Sequence, residues 1–331
     1  MPMTLPEPSP PTLAHGASPA PTAPRGVLVA DIGGSHIRLG RHRQGHECEL
    51  LGAVKTPVDD WERFCAALGG LVSPVAPGAA ALSLSITGVV SPQTGHVAAA
   101  NLPCLASRPL ATALEALLGM PVLVTNDADC AALAEARFGA GQGHDIVFCA
   151  VLGTGVGGGL VINGKLVRGA AGLTGEWGHA PIVNEALVHT GDGLSVRLPR
   201  LRCGCGQMGC ADTVGGARGL ERLHAFLHRS EQSSHQILQA WLVGEPLASA
   251  TVGAYVELVS DPLALVVNVT GASVVPVCGG LGRCPELVGA LDEAVRRKIL
   301  RKSDHALVVA SLLDDRAGLI GAACAFDGAK A

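Results

Sequence analysis

Three times in this sequence a short β-like run ends in a glycine-rich turn. Val27-Leu28-Val29-Ala30 leads into Asp31-Ile32-Gly33-Gly34-Ser35, Asp145 to Leu152 into Gly153 to Gly159, and Val274 to Cys278 into Gly279-Gly280. Glycine has no Cβ, so backbone N–H groups in such turns can approach an anion closely. The repetition suggests a duplicated nucleotide-binding core. Helical spacing separates the runs: Trp61, Phe64, Cys65 and Leu68 between Leu51 and Gly70, then Leu110 to Leu118, which Gly119 stops, then Ala128 to Phe138. Further helices are expected over Leu220 to Val243, within Val252 to Val269, and near Pro285 to Leu300. Strands are expected at Ala81 to Ile86 and Pro121 to Thr125, with a hairpin over Val89 to Val97. Such alternation means α/β layers.

The 331 residues suggest two domains, and a hydrophobic fraction of 48% excludes a largely disordered chain. The 44 glycines lack the three-residue period of collagen. A net charge of −4 and an aromatic fraction of 3% argue against nucleic-acid binding, which needs clustered cations and stacking platforms. No long uncharged apolar run is present, so no membrane span is expected. Met1 to Arg25 holds eight prolines and no signal-peptide core, and is expected to be a disordered leader. Of the eleven cysteines, eight are scattered through apolar segments and three cluster at Cys203, Cys205 and Cys210. That usage suits a reducing cytoplasm with one special site.

Asp31 places a carboxylate at a strand end, followed by two bare residues and the hydroxyl of Ser35. A carboxylate there can hold Mg²⁺ through water while the glycines cradle phosphate. Gly153, Thr154 and Gly155 open a second such loop, five of whose seven residues are glycine. A pair of tight hairpins would need the same glycines. Neither loop is a dinucleotide fingerprint: Gly153 to Gly158 has the G-x-G-x-x-G spacing, but that motif must open a helix with an acid ~20 residues on. Asn126-Asp127 stands between a strand and a helix, where one polar residue is enough to cap. A carboxylate at that strand end also suits a general base that takes a proton from an alcohol. A base beside phosphate loops means phosphoryl transfer. Cys203-x-Cys205-x4-Cys210, interleaved with glycines, gathers three thiolates in one knuckle. A redox site would use the same residues, but three thiolates with His179 as fourth ligand suit tetrahedral, structural Zn²⁺. Such a site would fix the loop carrying Glu176, one helical turn from His179.

These motifs, in this order, resemble the ROK family (repressor, open reading frame, kinase), sugar kinases of the actin-like ATPase superfamily. The resemblance runs from about Gly26 to the C-terminus. It is carried by Asp31 to Arg38, Asn126-Asp127-Ala128-Asp129, Leu152 to Gly159, Gly175-Glu176-Trp177-Gly178-His179 and Cys203 to Cys210. It implies an α/β, two-domain, ribonuclease H-like fold with a central cleft and an inserted zinc knuckle. A small domain would span 26–126, completed by a C-terminal helix over 312–331, and a large one 127–311. Asp127 would deprotonate the sugar 6-hydroxyl, and Asn101, Asn126, Glu176 and His179 would hydrogen-bond the sugar. Gly33, Gly34, Ser35, Gly153, Thr154 and Gly155 would hold ATP phosphates with Mg²⁺ near Asp31, and Gly279-Gly280 would face adenosine. His179, Cys203, Cys205 and Cys210 would bind zinc. Asp212 stands where the family usually has a sugar-binding Glu, so its reach is one methylene shorter. The segment between His179 and Cys203, longer than in typical glucokinases of the family, together with Arg202 to Cys210 and Asn126 to Cys130, looks most like the N-acetylglucosamine kinase branch. Glucokinase or fructokinase activity is the alternative, with a ROK-type regulator behind it. No helix-turn-helix domain is expected before Asp31, and a homodimer is.

Overall fold

The computed structural model describes residues 26–43, 45–99, 101–181, 187–189 and 195–330. The leader expected over 1–25 lies outside them. The first half runs β1 (Val27–Ile32), β2 (His36–His42), β3 (Cys48–Lys55), α1 (Trp61–Val72), β4 (Leu82–Ile86), β5 (Val89–Val90), β6 (Val97–Ala98), α2 (Leu110–Leu118) and β7 (Val122–Asn126). The second runs α3 (Asp127–Phe138), β8 (Ile146–Leu152), β9 (Val156–Ile162), β10 (Lys165–Leu166), β11 (Leu187–His189) and β12 (Ser195–Arg197). It continues with α4 (Asp212–Gly215), α5 (Ala217–His228), α6 (Ser234–Leu242), α7 (Pro246–Thr270), β13 (Val275–Cys278), α8 (Pro285–Lys298), β14 (Val308–Ala310) and α9 (Ala317–Lys330).

Two five-stranded sheets have the same plan. One is ordered β3-β2-β1-β4-β7 and the other β10-β9-β8-β13-β14. In each, the first three strands in sequence form an antiparallel meander and the last two add in parallel. The duplication suspected from the glycine turns is therefore real at the level of topology. Gly33 to Ser35 form the β1–β2 turn and Gly153 to Gly155 the equivalent β8–β9 turn. So these glycines do make tight hairpins.

Local chemistry explains most element ends. Asp60 caps α1 by accepting from Arg63 N, Gly119 stops α2 at φ 66°, and Ser233 opens α6 with a capping box closed by Gln236. The single helix expected over Leu220 to Val243 is instead two, because Arg229 turns left-handed at φ 54° and Ser233 restarts the chain. The helical spacing of Trp61, Phe64, Cys65 and Leu68 is α1, and the chain before it, as far as Lys55, is β3. β3 is an edge strand, half-exposed along its length, and shows no clean alternation.

A further correction concerns Gly157, Gly158 and Gly159, expected in the anion loop but placed inside β9. Helix α3 crosses that strand so closely that a Cβ at Gly159 would stand 2.7 Å from Ala132 Cβ and 2.9 Å from Ala128 O. A Cβ at Gly158 would meet Phe148 and Trp177 at 2.8 Å. These glycines serve packing, and the open turn is only Gly153 to Gly155.

Helix α9 lies against the first sheet, where the buried Ser83 hydroxyl donates to Ala322 O at 2.7 Å. It also packs along α3. Glu135 of α3, fully buried, accepts from Ser311 Oγ at 2.5 Å and Leu313 N at 3.2 Å, tying the approach to α9 onto α3. Among the described residues only α7 is long and apolar enough to cross a membrane. Here it forms a core helix, with Tyr255 and Leu263 fully buried against neighbouring helices.

Candidate active site

Asp127 is the first residue of α3, and its neighbour takes the main capping role. Asn126 Oδ1 accepts from Ala128 N at 2.9 Å and Asp129 N at 3.2 Å, while its amide donates to Gly88 O at 2.8 Å. Asp127 Oδ2 accepts the Thr87 hydroxyl at 3.0 Å, and Thr87 lies just beyond the end of β4. Burial pushes the Asp127 carboxyl up to about 6, with Asp31 adding to the rise and the Thr87 hydroxyl opposing it. Asp129, one residue on, is pushed up to about 7, again chiefly by burial. Arg168 pulls it down, while Glu176 and Asp127 push it up. Asp127, Asp129, Glu176 and Arg168 thus share one field.

Asp31 sits at the end of β1 with both oxygens engaged: Arg38 donates at 2.7 Å and Ser85 Oγ at 2.9 Å. A carboxylate offers about four lone-pair sites, so these bonds orient it and still leave room for a hydrated cation. Gly34 and Asn101 are neighbours, with Asn101 O 3.8 Å from a Cβ placed on the glycine. Among the described residues, the N–H groups of Gly34, Ser35, Thr154 and Gly155 donate to no acceptor within the chain. Both turns therefore present bare donors.

The third glycine motif packs against the second. Gly279 has φ 90°, and a Cβ there would lie 2.5 Å from Leu152 O and 2.8 Å from Gly153 N. Only glycine permits both the dihedral and the approach. Gly279-Gly280 thereby joins Gly153 to Gly155 in one surface.

The cysteine knuckle folds as a compact donor set. One ligand atom each from His179, Cys203, Cys205 and Cys210 lies within 4.8 Å of all the others. Cys205 Sγ and Cys210 Sγ are 3.6 Å apart, and Cys203 Sγ is 3.5 Å from His179 Nδ1. Tetrahedral sulfur ligands at about 2.3 Å from Zn²⁺ stand roughly 3.7 Å apart, so the donors fit that ion. Gln207 N–H lowers the Cys205 thiol to about 7, whereas burial raises Cys203. His179 Nε2 points the other way, 3.8 Å from Glu176 Oε2. One imidazole thus faces the cluster and the candidate sugar residue at once. Asp212 Oδ1 accepts from Val156 N at 2.8 Å, and its Oδ2 is 3.6 Å from Cys203 Sγ.

Sequence reasoning did not single out Thr87, Ser85 or Arg168. Thr87 and Asp127 are 40 positions apart, and nothing local to a threonine announces that partner.

The ROK family profile matches residues 27–328. An N-acetyl-D-glucosamine kinase of Escherichia fergusonii is 31% identical over 296 residues, spanning 88% of this chain and 96% of that protein. The crystal structure of a ROK hexokinase from Thermus thermophilus superposes with TM-score 0.78 at 29% identity, covering 92% of this chain and all of the other. A ROK family glucokinase from Streptomyces griseus, in complex with glucose and AMPPNP, gives TM-score 0.74 at 30% identity over 90% of this chain and 98% of its own. With the profile spanning nearly every described residue, and with duplicated sheets, glycine turns and cysteine knuckle in place, this chain belongs to the ROK family.

Proposed function

We propose that this protein transfers the γ-phosphoryl group of ATP to the 6-hydroxyl of a hexose, and that the hexose is N-acetyl-D-glucosamine. The observation that carries the proposal is Asp127, a carboxyl held by Thr87 and lifted to about 6, at the head of α3 beside Asp31. Asp127 takes the hydroxyl proton as the sugar oxygen bonds to the γ-phosphorus, and the bond from that phosphorus to the β-phosphate oxygen breaks to release ADP. The bare N–H groups of Gly34, Ser35, Thr154 and Gly155 receive phosphate oxygens, and Gly279-Gly280 lies on the adenosine side. Mg²⁺ bound with the nucleotide, oriented by Asp31, supplies charge neutralisation. Asn101, Asn126, Glu176 and His179 orient the sugar. The sheets act as two lobes, 26–126 with α9 and 127–311, whose closure excludes water from the cleft.

The identity of the sugar rests on the 31% identical relative and on one or two polar contacts, which is how such pockets discriminate. Initial rates of ADP release over N-acetylglucosamine, glucose and fructose test it. The highest kcat/KM is expected with N-acetylglucosamine, and a preference for glucose would reassign the sugar. No turnover together with a salt-sensitive shift of duplex DNA would replace the kinase by a regulator. We further propose a cytoplasmic homodimer.

The acid limb of the rate follows from Asp127. Its folded pKa is raised, so the active carboxylate is lost as pH falls through about 6. The expected profile of kcat/KM for the sugar is flat near pH 8 and declines below about 6, and activity undiminished at pH 5 would contradict the assignment.

Zinc is the proposed occupant of the knuckle. Elemental analysis of the purified protein is expected to find about one Zn²⁺ per chain, reduced in Cys205→Ser along with sugar affinity. Metal-free wild type with full activity would remove zinc from the proposal.

A further inference from the structure

The turn Gly153 to Gly155 and the first residues of β9 are tied to the protein by side chains and backbone that flank the metal donors. Val156 N donates to Asp212 Oδ1 at 2.8 Å, and Asp212 stands two residues after Cys210. Trp177 Nε1 donates to Gly157 O at 2.7 Å, and Trp177 stands two residues before His179. Ala217 N closes the third side on Gly153 O at 2.8 Å. Gly155 lies so close against the carboxylate that a Cβ would stand 2.5 Å from Asp212 Oδ1. The other oxygen, Oδ2, is 3.6 Å from Cys203 Sγ. One carboxylate oxygen thus holds the candidate nucleotide turn, while the short backbone link from Cys210 to Asp212 ties that carboxylate to the metal donors; the Cys203 contact is a thiol donor bond, which a metal-bound thiolate does not make.

We infer that Asp212 is a positioning residue that couples the metal cluster to nucleotide binding: clamping the four donors fixes Asp212, and Asp212 fixes the turn that receives phosphate. The inference rests on the kinase proposal for the role of that turn. It gives Asp212 a role on the nucleotide side beside the sugar contact that the family resemblance implies.

Calorimetric titration of the full chain with Mg²⁺ and a non-hydrolysable ATP analogue, without sugar, tests it. Asp212→Ala is expected to weaken the analogue about tenfold, the scale of one lost hydrogen bond to a charged group, with zinc content within about twofold of wild type. Asp212→Asn keeps an acceptor for Val156 N and is expected to stay within about threefold. Chelator treatment of wild type is expected to weaken the analogue about tenfold, and the same treatment of Asp212→Ala to add less than about threefold, since coupled effects do not multiply. Nucleotide affinity unchanged in Asp212→Ala overturns the inference alone. So does a loss confined to the sugar, and so do losses from mutation and chelation that multiply in full. Wild type that binds no nucleotide overturns the kinase proposal with it.

Discussion

Asp127→Asn is expected to lower kcat by at least ~10²-fold with the sugar KM within a few-fold of wild type. Asparagine keeps an oxygen that can accept from Ala128 N, and its amide nitrogen, standing where Oδ2 was, can donate to the Thr87 hydroxyl oxygen, so both native contacts have a counterpart. The start of α3 stays capped, because Asn126 accepts from Ala128 N and Asp129 N on its own. What the amide lacks is a basic oxygen that can carry a proton away from the attacking hydroxyl. A thermal melt matching wild type, beside initial rates of ADP release, separates lost chemistry from lost fold. Turnover within tenfold of wild type would mean that the proton leaves by another route, and Asp129, the nearest other carboxyl with a raised pKa, would become the candidate.

How far the site was legible follows from the distance over which each signal acts. The cap at Asn126, the stop at Gly119 and the knuckle of Cys203, Cys205 and Cys210 are written in neighbouring residues, and the structure places them as read. His179 could be paired with that knuckle because three thiolates call for a fourth donor. Gly157 to Gly159 misled, because a glycine that admits a crossing helix and one that frees a turn look alike without α3 above them. Thr87, Ser85 and Arg168 act on carboxylates far along the chain, and only β4 brings Ser85 and Thr87 beside Asp31 and Asp127. Asp212 shows the same limit: its place in the motif pointed to the sugar, and nothing local announced its bond to Val156 N, 56 positions away.

Gly321→Ala should lower thermal stability more than any other single-methyl change in α9. A Cβ at Gly321 would overlap the carbonyl oxygen and carbon of Cys130 in α3. That neighbour is helix backbone, which cannot swing aside as a side-chain tip can. Alanine favours a helix by ~1 kcal/mol over glycine, but overpacking of a close crossing costs about 1–3 kcal/mol or more, and here the overlap is with main chain. We expect a net loss of at least ~2 kcal/mol, read as a melting temperature lower by roughly 4 °C or more. Gly328→Ala in the same helix has no atom within 4 Å of the new methyl and is the matched control, expected to melt at or above wild type. The loss would reach activity as well. α9 carries Gly318, whose Cβ position lies 2.5 Å from Asp31 Oδ1, and α3 begins at Asp127, so the crossing at Gly321 sets the spacing of the two carboxylates. Parting the helices shifts Asp127, the proposed base, relative to Asp31, and kcat is expected to fall with the melting temperature. A variant as stable as wild type would show that α3 and α9 do not pack this closely in solution.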